Sequence, residues 1–131
     1  MSRPNFKIDK IQRAVIIEDD DTARDIISDF LEDEGYKVLS FDSTKKAEEV
    51  VQPTDILIVD VRIGKEPSAG VDFVISLREN NPQFKATKTI FISNFGRFKQ
   101  IEEKLQQLEG KFIWIDKPLE MFQLAHAIEN E

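Results

Sequence analysis

Acidic side chains, one hydroxyl and one lysine stand where short apolar runs end. The run Arg13-Ala14-Val15-Ile16-Ile17 leads into Glu18-Asp19-Asp20-Asp21, and Ile56-Leu57-Ile58-Val59 leads into Asp60. Ile90-Phe91-Ile92 ends at Ser93, and Phe112-Ile113-Trp114-Ile115 ends at Asp116-Lys117-Pro118. Two carboxylates brought together from such ends make a hard-oxygen site suited to Mg²⁺, which keeps waters and takes few protein ligands. Four consecutive acids also raise one another's pKa values unless a cation neutralises them. Aspartate is a strong helix cap as well, so we expect Asp21 or Thr22 to cap a helix while Glu18 and Asp19 face the pocket. Asp60 is placed as a carboxylate nucleophile able to form an acyl phosphate. That chemistry needs phosphoryl charge neutralised by a metal and a cation, for which Lys117 is placed, and Ser93 can donate to a phosphoryl oxygen.

The elements that must position these groups alternate. Five apolar runs, at residues 13–17, 37–41, 56–59, 89–92 and 112–115, are separated by helix-like segments. Runs one, three, four and five are apolar nearly throughout, as strands covered on both faces are. The mixed second run, Lys37-Val38-Leu39-Ser40-Phe41, suits an edge. In the first helix Ile26, Ile27, Phe30 and Leu31 share a face and Gly35 stops it. Ser43 or Thr44 starts a second, with Ala47, Val50 and Val51 inward and Pro53 at its end. A third follows Gly70 with Phe73, Val74 and Leu77 apolar, closed by Asn80-Asn81-Pro82. The fourth carries Phe98, Ile101, Leu105 and Leu108; the fifth carries Met121, Leu124, Ala125 and Ile128. Such alternation implies right-handed crossovers and a three-layer α/β sandwich, whose strand ends line one ligand-binding edge.

Composition narrows the classes. The 131 residues fit one domain, expected to comprise a polar lead-in over residues 1–12, where Phe6, Ile8 and Ile11 could dock, and a domain over residues 13–131. The absence of cysteine excludes disulfides, zinc thiolates and a thiol nucleophile. There is no signal-like apolar stretch and no run long enough to span a membrane, so a cytoplasmic protein without membrane contact is expected. A net charge of -7 argues against direct nucleic-acid binding.

Glu18-Asp19, Asp60, Ser93 and Lys117-Pro118, in that order and spacing, resemble the signature of a response-regulator receiver domain of two-component signalling. The likeness covers roughly residues 13–128. It implies a flavodoxin-like, five-stranded parallel sheet of order 2-1-3-4-5. It also implies that Asp60 accepts a phosphoryl group from a sensor histidine kinase or phosphotransfer protein. Asp19, Asp60 and the Arg62 backbone carbonyl would bind Mg²⁺ directly, with Glu18 acting through water. Lys117 would contact the phosphoryl group, across a cis bond to Pro118. Ser93 would swing toward the phosphate and Trp114 would turn inward with it, shifting two pre-existing states. The output face, formed by the fourth helix, fifth strand and fifth helix, would meet a downstream protein or a second copy. The chain would not be an enzyme beyond its own Mg²⁺-dependent phosphorylation and dephosphorylation.

Some positions depart from the family. Receivers usually carry proline four residues after the acceptor, where this chain has Gly64, and a glycine about eight after it, whereas Gly70 comes later. Arg62 and Phe95 occupy positions that tune water access in the family; they would either shield an acyl phosphate or project into solvent. Asn94 replaces a small residue and would narrow access to Asp60. Trp114 reads equally well as a strand aromatic packed on the fifth helix. Phe95, Phe98 and Phe112 could form a partner patch, although Phe98 at helical spacing reads as core. His126, the sole histidine, lies one position off the last stripe and reads as a boundary residue.

Three rival functions are weighed. A haloacid-dehalogenase-type phosphohydrolase would need an acid two residues after the nucleophile, where Arg62 stands. A flavodoxin-like carrier would need a loop welcoming phosphate, which Glu18-Asp19-Asp20-Asp21 would repel. A pseudo-receiver, acting as a phosphorylation-independent interaction module, remains the alternative, because fold alone does not fix function.

Overall fold

A computed structural model describes residues 11–49 and 54–129. Strand β1 (Arg13–Ile17) is followed by α1 (Asp21–Asp33), β2 (Lys37–Phe41), α2 (Thr44–Ala47) and β3 (Ile56–Asp60). Then come α3 (Ala69–Asn80), β4 (Lys88–Ser93), α4 (Lys99–Leu105), β5 (Ile113–Asp116) and α5 (Met121–Glu129). Short 3-10 segments at Pro82–Ala86 and Gln106–Leu108 end the crossovers before β4 and β5. All strand pairs are parallel, in the order β2-β1-β3-β4-β5. This is the expected flavodoxin-like sheet, built from strands that only crossover connections can join in parallel.

Alternate residues of the central strands feed two cores. Val15, Ile17, Leu57, Val59 and Phe91 pack with Val71 and Val74 of α3 and Ile101 of α4. Ala14, Ile16, Ile56, Ile58, Ile90 and Ile92 pack with Ile27 and Leu31 of α1 and Leu124 of α5. Helices α1 and α5 therefore cover one face and α2, α3 and α4 the other, which fixes the ends of β1, β3 and β4 between two rigid layers.

Four expectations need correction. The fifth run is less covered than expected, since only Ile115 in β5 is buried. Ile26 is half exposed; Ile27 and Leu31 alone fill the buried stripe of α1, since a third neighbour on so wide an arc turns away from the sheet. The cap of α1 is neither Asp21 nor Thr22 but Asp20, whose carboxylate accepts from the Thr22 amide at 3.2 Å. Helix α3 begins at Ala69, one residue before Gly70. A Cβ on Gly70 would collide with the Asp60 carbonyl oxygen and with Val59, so glycine there lets the first turn of α3 lie against the end of β3.

Ser43 caps α2 by accepting from the Lys46 amide, as expected. The docking of Phe6 and Ile8, the inward places of Val50 and Val51 and the stop at Pro53 lie outside the described residues. Ile11 is exposed. Among the described residues no helix is long and apolar enough to cross a membrane.

Candidate functional site

β1, β3, β4 and β5 end side by side, and residues at or just past those ends meet. Glu18 follows β1 directly, hydrogen-bonded through its amide to Phe41 O at the end of β2. It is 0% exposed, and Asp60, the last residue of β3, is 5% exposed, so both carboxylates lie out of water. Lys117 reaches back from the end of β5. Its Nζ donates to Glu18 Oε1 and to Asp60 Oδ2, each at 2.9 Å. Its backbone amide donates to Ser93 O at 2.7 Å, and the bond to Pro118 is cis, as the resemblance implied.

The third carboxylate, Asp19, is exposed. One oxygen each from Glu18, Asp19 and Asp60 lies within 4.8 Å of the others. Three hard oxygens so close suit a small divalent cation that keeps part of its water shell. Of the four consecutive acids only Glu18 and Asp19 join this group; Asp20 caps α1 and Asp21 pairs with Arg24. Arg24 also donates to the Glu18 carbonyl at 2.8 Å, tying the first turn of α1 to the end of β1.

Electrostatics follow from burial. The Glu18 carboxyl is pushed up to about 7 by desolvation and by its contact with Asp60, against the opposing pull of Lys117. The acid that helps raise it is Asp60 at the end of β3, rather than the consecutive acids expected from sequence. Burial pulls Lys117 down, but its bonds to Glu18 and Asp60 outweigh that and leave it raised and charged. The cluster thus carries more negative than positive charge in a low-dielectric recess.

Ser93 is 2% exposed, and its Oγ accepts from the Phe95 amide at 3.1 Å, fastening the loop after β4. Asn94 is exposed and lines a cavity beside Lys117 and Glu18, with Ala23 and Ile26 of α1. Arg62 donates its amide to Asp60 Oδ1 at 3.3 Å, while its guanidinium lies 5.1 Å from the centre of the Phe95 ring. Both side chains are exposed, yet they face each other across the loops after β3 and β4.

Trp114 is half-buried on the side of α2, α3 and α4, 6.1 Å from Phe91 between ring centres. It also lines a cavity with Phe122, Gln123 and His126 of α5. Arg97 lies over both Trp114 and Phe112, at 5.4 and 5.5 Å, and pairs through two hydrogen bonds with Glu102. Phe98 and Phe112 pack against the core and Phe95 is exposed, so the three do not form one patch. On the opposite face, Phe122 of α5 is a large exposed apolar group near His126, which is exposed too.

The family model for the response regulator receiver domain matches residues 14–129. This chain belongs to that family. The receiver is 25% identical over 120 residues to a cyclic di-GMP phosphodiesterase of Thermotoga maritima, covering 88% of this chain and 31% of that protein. Among solved structures it resembles the Vibrio cholerae chemotaxis protein CheY4, with a TM-score of 0.76, 20% identity and coverage of 92% and 98% of the two chains. It also resembles a Burkholderia pseudomallei response regulator described with a phosphorylated aspartic acid and a calcium ion. There the TM-score is 0.74 and the identity 15%, over 91% of this chain and 67% of that one.

The sequence had marked Glu18, Asp19, Asp60, Ser93 and Lys117, and the receiver brings all five to one edge. Sequence reasoning missed the backbone donors at Arg62 and Gly64, the Arg97 stack and the buried Arg78. Arg78 had a signal, since it falls on the same inward arc of α3 as Val71 and Val74. The amides had none, because every residue but proline carries one.

Proposed function

We propose that this receiver accepts a phosphoryl group on Asp60 from a sensor histidine kinase or phosphotransfer protein and passes the change to its α4–β5–α5 face. The observation that carries the reading is Lys117 Nζ held 2.9 Å from Asp60 Oδ2 beside an uncompensated carboxylate cluster. A structural ion pair would be balanced; this site has one cation for three acids.

An Asp60 carboxylate oxygen forms the new bond to phosphorus as the bond from phosphorus to the donor imidazole breaks, its electron pair leaving with the nitrogen. Glu18, Asp19 and Asp60 supply donors that fit Mg²⁺, with the Arg62 carbonyl as a further oxygen. When bound, the cation offsets charge on the phosphoryl oxygens. Lys117 gives up Asp60 Oδ2 and donates to a phosphoryl oxygen instead. Ser93 Oγ turns to the phosphoryl group, and the Phe95 amide then loses its acceptor at 3.1 Å. That release frees the loop carrying Arg97, whose guanidinium covers Trp114, so the aromatic side chain can move. Catalysis stays confined to this transfer and to hydrolysis of the product by water.

Trp114 is the only tryptophan, so fluorescence reports this movement without a label. Addition of Mg²⁺ and beryllium fluoride, a phosphoryl mimic, shifts the emission of the wild type and leaves Asp60→Asn unchanged. If neither Mg²⁺ nor the mimic binds the wild type, the pseudo-receiver reading replaces this one.

A further inference from the structure

The loop after β3 folds into a tight turn whose geometry bears on Asp19. Ile63 and Glu66 exchange both backbone hydrogen bonds, at 3.3 and 3.1 Å, so Gly64 and Lys65 are the two central residues. Gly64 has φ of 61°, and Lys65 is not among the positive-φ residues. A positive φ at the first central position alone is the type II′ pattern, which glycine adopts without strain. Neither closing bond uses the first central amide. Here that amide donates to Asp19 Oδ2 at 2.7 Å, across 45 residues of sequence. The turn is held from behind as well, because Arg62 Nε donates to Gly64 O at 3.2 Å.

Asp19 is the exposed member of the carboxylate group, and an exposed aspartate otherwise samples several rotamers. An amide fixed by a closed turn restricts it, and a carboxylate oxygen that accepts one hydrogen bond keeps a lone pair for another partner. Proline at this position would remove the donor and lock φ near -65°. We propose that the Gly64 amide is a positioning group of the cation site, holding Asp19 toward Asp60 and thereby setting affinity for a hard divalent cation. The proposal rests on the reading of the carboxylate cluster as a cation site.

Calorimetric titration with Mn²⁺ and Mg²⁺ tests it in wild type, Gly64→Pro, Gly64→Ala and Lys65→Ala. Affinity falls about tenfold or more in Gly64→Pro, as loss of a group orienting a metal ligand typically does. It falls less in Gly64→Ala, which keeps the donor under backbone strain, and Lys65→Ala binds as the wild type. A role in folding alone would lower thermal stability without changing the affinity of the folded protein. A second readout needs no turn variant: the Gly64 amide proton resonance moves upfield in Asp19→Ala while those of Gly35 and Gly110 stay. Unchanged affinity in folded Gly64→Pro overturns the proposal. If that variant does not fold, a Gly64 resonance indifferent to Asp19→Ala overturns it instead. A wild type that binds no divalent cation overturns both this inference and the proposed function, whereas equal binding by wild type and Gly64→Pro overturns this inference alone.

Discussion

At the amino end of β4 the Arg78 side chain is buried among neutral acceptors. It donates to Thr89 Oγ1 at 3.1 Å and to the Lys111 carbonyl at 2.6 Å, while its Nε has no hydrogen-bond partner among the described residues. At the carboxyl end of the same sheet, Glu18 and Asp60 are buried against one lysine, with Asp19 alongside. Both ends carry the cost of desolvating charge, which lowers the Arg78 pKa and raises that of Glu18. Both ends gain cross-links from it, but only one is left with charge unbalanced. Arg78 ties α3 to β4 and to the approach to β5, so its burial is repaid in rigidity. The acid cluster ties loops together while retaining excess negative charge, a condition that a bound divalent cation would relieve. Buried charge at one end is scaffolding; at the other it is held in readiness.

The contrast breaks most visibly at Lys117. Lys117→Met slows adduct formation from a small acyl-phosphate donor about a hundredfold or more, the usual cost of removing a donor to developing oxyanion charge. Intact-mass time courses measure it, and Arg78→Ala leaves that rate unchanged. Next in size is the pH dependence of the cation-free protein. Glu18 binds its proton more tightly folded, at about 7, than at its ordinary value of 4.5. Its contribution to stability is therefore fully present below that ordinary value and is lost as pH rises toward 7, on the order of 3 kcal/mol in all. Urea unfolding in chelator shows the decline, and Glu18→Gln removes it while weakening cation binding.

Arg78→Ala sharpens the other side. It leaves Lys111 O and Thr89 without their donor and costs about 2 kcal/mol at every pH in that range, read by the same unfolding experiment. The smallest effect is at Arg62. Its guanidinium and Phe95 bridge the loops flanking Asp60, so Arg62→Ala shortens the half-life of the aspartyl phosphate a few-fold, followed by loss of the mass adduct. An unchanged half-life removes shielding from the account.

Those two ends were unequally legible in the sequence. The apolar runs of β1, β3 and β4 announce strands covered on both faces, and once their ends are aligned Asp60, Glu18, Asp19, Ser93 and Lys117 must meet. Periodicity could not tell that β5 is an edge, because a strand supporting one core and flanking helices remains rich in apolar residues. Nor could it choose Asp20 over Asp21 as the cap, since either residue can do it and the choice depends on where the backbone leaves the sheet. Arg78 was passed over despite its place on the inward arc of α3, because a cation on a helix is ordinarily read as solvated. The Gly64 donor was hidden because it belongs to the backbone, and only the turn geometry shows where it points.

The most direct measurement is intact-mass analysis after incubation with Mg²⁺ and a small acyl-phosphate donor, comparing wild type with Asp60→Asn and with chelator. The account predicts a single phosphoryl adduct on wild type that is absent in Asp60→Asn and absent without the cation. An adduct that persists in Asp60→Asn, or forms equally well in chelator, would contradict it.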